Sequence, residues 1–375
     1  MLFVLLALAM AARLWAQEVE PASPPERPAA ASPGYIEHEF YLPDPTAMPR
    51  GLDALEVRAI MPGRHPLALL THGTSKNPQD RATVTPWAFL PQALWFARRG
   101  YVVLVVVRRG YGRSGGEMDG RHGGCGRNGS FTQAGEASAE DLRAAARYAA
   151  TLPEVDTATV ISAGVSTGGF AQVALSADPM PGLKAAISFA GGRGGDGTGR
   201  NCDSDGLEHA FHGFGKHNRV PMLWIYAEND KWFPPELARR LDEEFRKGGG
   251  TDEFVMAPPD GEDGHHFFYN IAKWSPIVEG YLRGKDLLPF GDQVLPPPAL
   301  PNVPEPPGLG ERGAEAFRHF LMNGPFKAFA TNGAGIWGSS TGQFAQDIAD
   351  RKALEHCKAA AKGIGACVIV TRGPQ

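Results

Sequence analysis

Residues 160–175 read VISAGVSTGGFAQVAL. An apolar run that includes Val160 and Ile161 ends in a serine fenced by glycines. A helix-like pattern of alanines, Val173 and Leu175 begins at once on the far side. Gly164, Ser166, Gly168 and Gly169 lie between the two halves. The pattern fits a buried strand that turns into a helix so sharply that side chains two residues from Ser166 would collide with the turn. A G-x-S-x-G sequence in a strand–turn–helix context exposes the serine hydroxyl, and the free N–H groups of the helix start lie beside it. The plainer alternative is a glycine-rich connection with no chemistry.

Outward from this turn, apolar runs alternate with amphipathic ones. Strands are expected over 35–42, 55–61, 66–72, 101–107, 158–164, 184–190, 221–227 and 252–258. Helices are expected over 86–99, 136–151, 168–178, 235–248 and 267–283. The later strand segments are near-continuous hydrophobic runs, as in parallel strands covered on both faces. The fold class expected is α/β, a doubly wound, mostly parallel sheet with right-handed crossovers. Prolines crowd 286–312, which reads as a semi-rigid linker, and 313–375 reads as a small α+β C-terminal domain ordered hairpin, helix, strand.

A serine needs a base, and the base needs an acid to orient it. Asp230 follows the run PMLWIYA at what would be the carboxyl edge of the sheet, with Glu228 as the alternative acid. Asp230 could instead simply cap the helix that follows. The stretch PPDGEDGHHFFY supplies two candidate bases, His265 and His266. His265 is preferred, because Gly264 before it lets the loop bend toward the serine. An acyl-transfer intermediate carries an oxyanion, for which the backbone N–H groups of Thr167 and Thr74 are the candidate donors.

Together the motifs THGTS, RRGYGRSGG, GVSTGG, YAEND and DGEDGHHFF resemble an α/β-hydrolase. They are most similar to the dienelactone hydrolase and prolyl-oligopeptidase-like branch found among exported bacterial proteins. The resemblance covers about residues 35–285. It implies an eight-stranded sheet with its site at the carboxyl edge, Ser166 as nucleophile, Asp230 as acid and His265 as base. Two departures restrict what it implies about substrate. The nucleophile is serine where true dienelactone hydrolases have cysteine, and the chain has no propeller domain. The function expected is a serine hydrolase acting on an ester, or an amide, through an acyl-enzyme. The alternatives are a peptidase, and a non-catalytic surface protein on a hydrolase scaffold whose C-terminal part does the work.

The remaining features place the protein and limit its partners. Residues 1–17 read as a signal peptide, although no Lys or Arg precedes the apolar run, and an uncleaved anchor is the alternative. Residues 18–34 read as a disordered mature N-terminus, so the protein is expected to be secreted or periplasmic. A net charge of -4 argues against nucleic acid or an anionic membrane surface as partner, which leaves a small-molecule or peptide substrate. Of the four cysteines, Cys357–Cys367 and Cys125–Cys202 are the pairings that stay within a domain; four separate buried thiols are the alternative. The glycine-rich segments around Tyr111, Arg113 and Cys125, and around Cys202, are expected as loops walling the pocket. His209, His212 and His217 fall in the second loop with no metal-ligand spacing. No metal and no cofactor are expected.

Overall fold

The apolar runs assemble into one sheet of eight strands: β1 (Tyr35–Leu42), β2 (Leu52–Ala59), β3 (His65–Thr71), β4 (Val102–Val106), β5 (Val155–Val165), β6 (Leu183–Phe189), β7 (Met222–Ala227) and β8 (Asp252–Ala257). This computed structural model describes residues 34–118 and 130–373. The expected signal segment, the expected N-terminal tail up to residue 33 and Cys125 lie outside the described residues. The strand order is β1-β2-β4-β3-β5-β6-β7-β8. The two pairings that involve β2 are antiparallel and the rest are parallel.

Alternation along the central strands explains why these segments are apolar throughout. Leu67 and Leu69 of β3, with Val102, Leu104 and Val106 of β4, pack into a core on one face. Ala68, Leu70, Val103 and Val105 pack into a second core on the other. Successive side chains of a strand point to opposite faces, so a strand covered on both sides has no polar phase.

The helices are α1 (Pro78–Thr83), α2 (Leu90–Ala97), α3 (Phe131–Ala149), α4 (Thr167–Ala177), α5 (Ser204–His217), α6 (Pro235–Gly248) and α7 (Ile271–Arg283). Side chains of α3, α4, α5 and α6 fill the first core, and α2 and α7 fill the second. In α6, Leu237, Leu241 and Phe245 recur at four-residue spacing. Pro235 starts that helix, and Gly249 ends it in the left-handed region at φ 106°.

One expectation needs correction. The second glycine-rich segment is not a loop throughout, because Ser204–His217 is helical and carries His209, His212 and His217. Glycines at 206, 213 and 215 mask it in the sequence. Packing of Phe211 and Phe214 on Phe170, with ring centroids 5.4 and 5.7 Å apart, overrides the poor propensity.

A second, three-stranded antiparallel sheet follows the proline-rich segment: β9 (Ala328–Thr331), β10 (Trp337–Ser340) and β11 (Val368–Arg372), in the order β10-β9-β11. Helix α8 (Gly310–Met322) packs Phe317 and Phe320 onto Phe329. Helix α9 (Gln346–Ala361) packs Ala349, Ala353 and Cys357 onto Ala328 and Ala330. A disulfide joins Cys357 to Cys367. Cys202 is also disulfide-bonded, and its expected partner Cys125 is outside the described residues. The proline-rich segment is fixed to the main domain: Arg98 at the end of α2 donates its Nε to the Leu295 carbonyl at 2.7 Å, and Tyr35 of β1 donates to Pro296 O at 2.7 Å. Among the described residues, no helix is long and apolar enough to cross a membrane.

Candidate active site

Five parallel strands, β3, β4, β5, β7 and β8, end on one rim, and the loop beyond each brings a candidate site residue there. Beyond β5 the chain turns at Ser166, whose φ of 58° and ψ of -120° lie in a region that non-glycine residues avoid. The flanking glycines are required by close packing. A Cβ on Gly164 would run into the Gly168 carbonyl, and one on Gly168 would meet the carbonyls of Thr71 and His72. Thr167 opens α4, so its N–H has no intrahelical partner.

Beyond β7, Asp230 is buried, and both of its carboxylate oxygens are engaged. Oδ1 accepts from the N–H groups of Trp232 at 2.7 Å and Phe233 at 2.9 Å, while Oδ2 lies 3.1 Å from His265 Nδ1. Asp230 does not cap α6, because that helix starts later, after Pro234. His265 comes from the loop after β8, and Asp263 ties that loop to the one after β7. Its Oδ1 accepts from the N–H groups of His265 at 3.1 Å and Lys231 at 3.0 Å. The indole of Trp232 stacks on the His265 ring at 5.2 Å. His266 points to the cavity rim beside Tyr269, and Glu228 is exposed. Of the candidates, the structure pairs Asp230 with His265.

Ser166, His265 and His266 line one cavity of about 330 Å³, together with Gly73 and Thr74 from the loop after β3 and Tyr111 from the loop after β4. Among the described residues no hydrogen bond joins Ser166 Oγ to the imidazole. In sites of this design that bond commonly tightens only with substrate in place.

Behind the serine runs a buried polar network that sequence reasoning missed. Arg108 is fully buried and donates to Thr71 Oγ1 at 3.1 Å, to the His72 carbonyl and to Thr167 Oγ1 at 2.9 Å. Thr74 Oγ1 bridges Thr167 Oγ1 at 2.8 Å and the Tyr111 hydroxyl at 2.7 Å. The Arg108 N–H donates to His72 Nε2 at 3.0 Å, so the ring's proton sits on Nδ1, which donates to Gly73 O at 2.6 Å. These bonds fix Thr74 and Thr167, the two candidate oxyanion donors, against each other. Arg109 and buried Asp141 anchor the loop after β4, with Nε 2.6 Å from Oδ1. Burial pushes the Asp141 carboxyl up to about 6, against the opposing pull of Arg109.

The expected pocket walls are only partly right. Tyr111 lines the cavity. Arg113 turns away and stacks on Phe344 of the C-terminal module at 4.1 Å. The segment before α5 packs behind Trp232 and Phe233, where Gly192 and Gly195 leave room for them. Gly342, Gln343 and Lys352 of the C-terminal module complete the wall, a contribution the sequence did not signal. Among the described residues no cluster of His, Cys, Asp or Glu could hold a metal ion.

The sheet order and the placement of these loops define the α/β-hydrolase fold. The sequence profile of the X-Pro dipeptidyl-peptidase family (S15 family) matches residues 51–199, less than half of the chain. Comparison with curated proteins finds no match. Among solved structures, acylaminoacyl peptidase from Pyrococcus horikoshii is similar at 15% identity and a TM-score of 0.50. The alignment covers 69% of this chain and 43% of that one, so the chain spans less than half of that peptidase. An esterase from Thermogutta terrifontis is similar at 19% identity, covering 69% of this chain and 97% of the esterase, with a TM-score of 0.47. At these identities the likeness is one of fold.

Proposed function

We propose that the protein is a serine hydrolase that cleaves an ester, or an amide, through an acyl-enzyme on Ser166. The fold and the S15-family match support hydrolysis as the reaction. The observation that carries the finer reading is the Asp230–His265 pair, 3.1 Å apart, facing the cavity that the strained Ser166 also lines.

In this reading Ser166 Oγ attacks the substrate carbonyl as His265 Nε2 takes its proton. Asp230 holds the proton on Nδ1 and steadies the imidazolium. The N–H groups of Thr167 and Thr74 receive the developing oxyanion. The protonated His265 then gives its proton to the leaving group, and the ester bond breaks. A water deprotonated by the same ring attacks the acyl carbonyl, and collapse of that second intermediate releases the acid and restores Ser166. Export from the cytoplasm belongs to the same proposal and is supported by the Cys357–Cys367 disulfide. Ser166→Ala should lower kcat/KM for a short-chain ester by at least about a thousandfold with the fold unchanged. Turnover at the wild-type rate would overturn the assignment.

A further inference from the structure

We infer that the C-terminal module is part of the substrate site, and that its Lys352 selects substrates carrying a carboxylate. This rests on the reading of Ser166 as nucleophile.

The module is fixed against the cavity. Thr85 Oγ1 donates to the Gly342 carbonyl, and Gly324 and Gly342 pack closely on Trp87: a side chain on Gly324 would press on the indole, and one on Gly342 on the Trp87 main chain and Cβ. Arg113 stacks on Phe344 and donates to its carbonyl at 3.3 Å. Lys352 comes from α9 and is half-buried in the cavity wall. Its one hydrogen bond among the described residues goes to Thr83 Oγ1, at 3.0 Å. No carboxylate among the described residues pairs with it.

Two other charged carboxylate or guanidinium side chains line the cavity, and both have local partners. Asp80 Oδ2 accepts from Ser75 Oγ at 2.9 Å. Arg81 Nη1 is held by the carbonyls of Ser75 at 2.8 Å and Lys76 at 2.7 Å. The balance is positive, and Lys352 has donors to spare. A cavity of about 330 Å³ that holds the nucleophile and this ammonium suits a short acyl chain ending in a carboxylate. The charge-assisted bond would form away from the reacting carbonyl and hold the ester in place.

The test compares kcat/KM for the mono-para-nitrophenyl ester of glutaric acid with that for para-nitrophenyl valerate, which has the same chain length and no charge. Wild type should favour the glutarate ester. Lys352→Met should lower the glutarate-to-valerate ratio about tenfold, mainly through KM for the charged ester, and Lys352→Arg should restore most of it. A ratio equal in wild type and Lys352→Met, or a wild-type preference for valerate, overturns the inference. If Lys352→Met does not fold, the wild-type ratio still decides, because it should fall as salt is raised and an insensitive ratio contradicts an ionic contact. Ser166→Ala separates the two readings. If it still cleaves the valerate ester, the nucleophile is wrong whatever the ratio; if it is inert while the ratio ignores Lys352, only the present inference fails.

Discussion

Trp232 and His265 stack with ring centroids 5.2 Å apart and planes 25° from parallel. The same tryptophan donates its backbone N–H to Asp230. One residue thus holds the carboxylate through its main chain and the imidazole through its ring. Trp232→Ala keeps the backbone bond and loses the ring, so kcat for a short ester should fall about three- to tenfold, the range of an aromatic pair. Steady-state kinetics check this, and an unchanged kcat would show that the stack does not position His265, the proposed base.

Gly73 has a different job. A Cβ at that position would lie 2.9 Å from Ser166 Cβ and 3.5 Å from its Oγ. Gly73→Ala should therefore displace Ser166, the proposed nucleophile, and cost about a hundredfold in kcat/KM, while circular dichroism and melting change little. Full activity in the variant would mean that the loop yields without disturbing the serine.

The serine turn and the Asp–His pairing were legible because Ser166 and Asp230 come at or just past the ends of apolar strands and His265 in the loop after the next one, and the parallel strands place all their carboxyl ends on one rim. The spacing of Leu237, Leu241 and Phe245 likewise marked α6. Helix α5 was hidden by its three glycines, whose cost only the aromatic contacts to Phe170 reveal. Arg108 was hidden because a charged residue next to an apolar run reads as a loop, whereas its partners Thr71, His72 and Thr167 come from separate segments. Lys352 carries no signal at all, since only the docking of α9 beside α1 brings it to the cavity.

Lys327 offers a pH test of how the module is held. It is buried, and its ammonium donates to the carbonyls of Leu321 and Asn323 at the end of α8, both at 2.7 Å. Burial pushes its pKa down to about 8, with Glu37 opposing. Between about 8 and about 10 the folded amine is neutral while the unfolded chain's is protonated. Unfolding then takes up a proton, so this residue's contribution to stability rises with pH across that window. Urea unfolding of wild type and Lys327→Met should show the difference moving in favour of wild type from pH 8 toward 10. A constant difference would contradict the depressed pKa.

The most direct test of the central claim is covalent labelling with a fluorophosphonate, located by peptide mass spectrometry. An activated hydroxyl at the strained turn predicts a single adduct on Ser166, absent in Ser166→Ala and strongly slowed in His265→Gln. No adduct on folded wild-type protein, or labelling that persists when Ser166 is removed, would contradict the account.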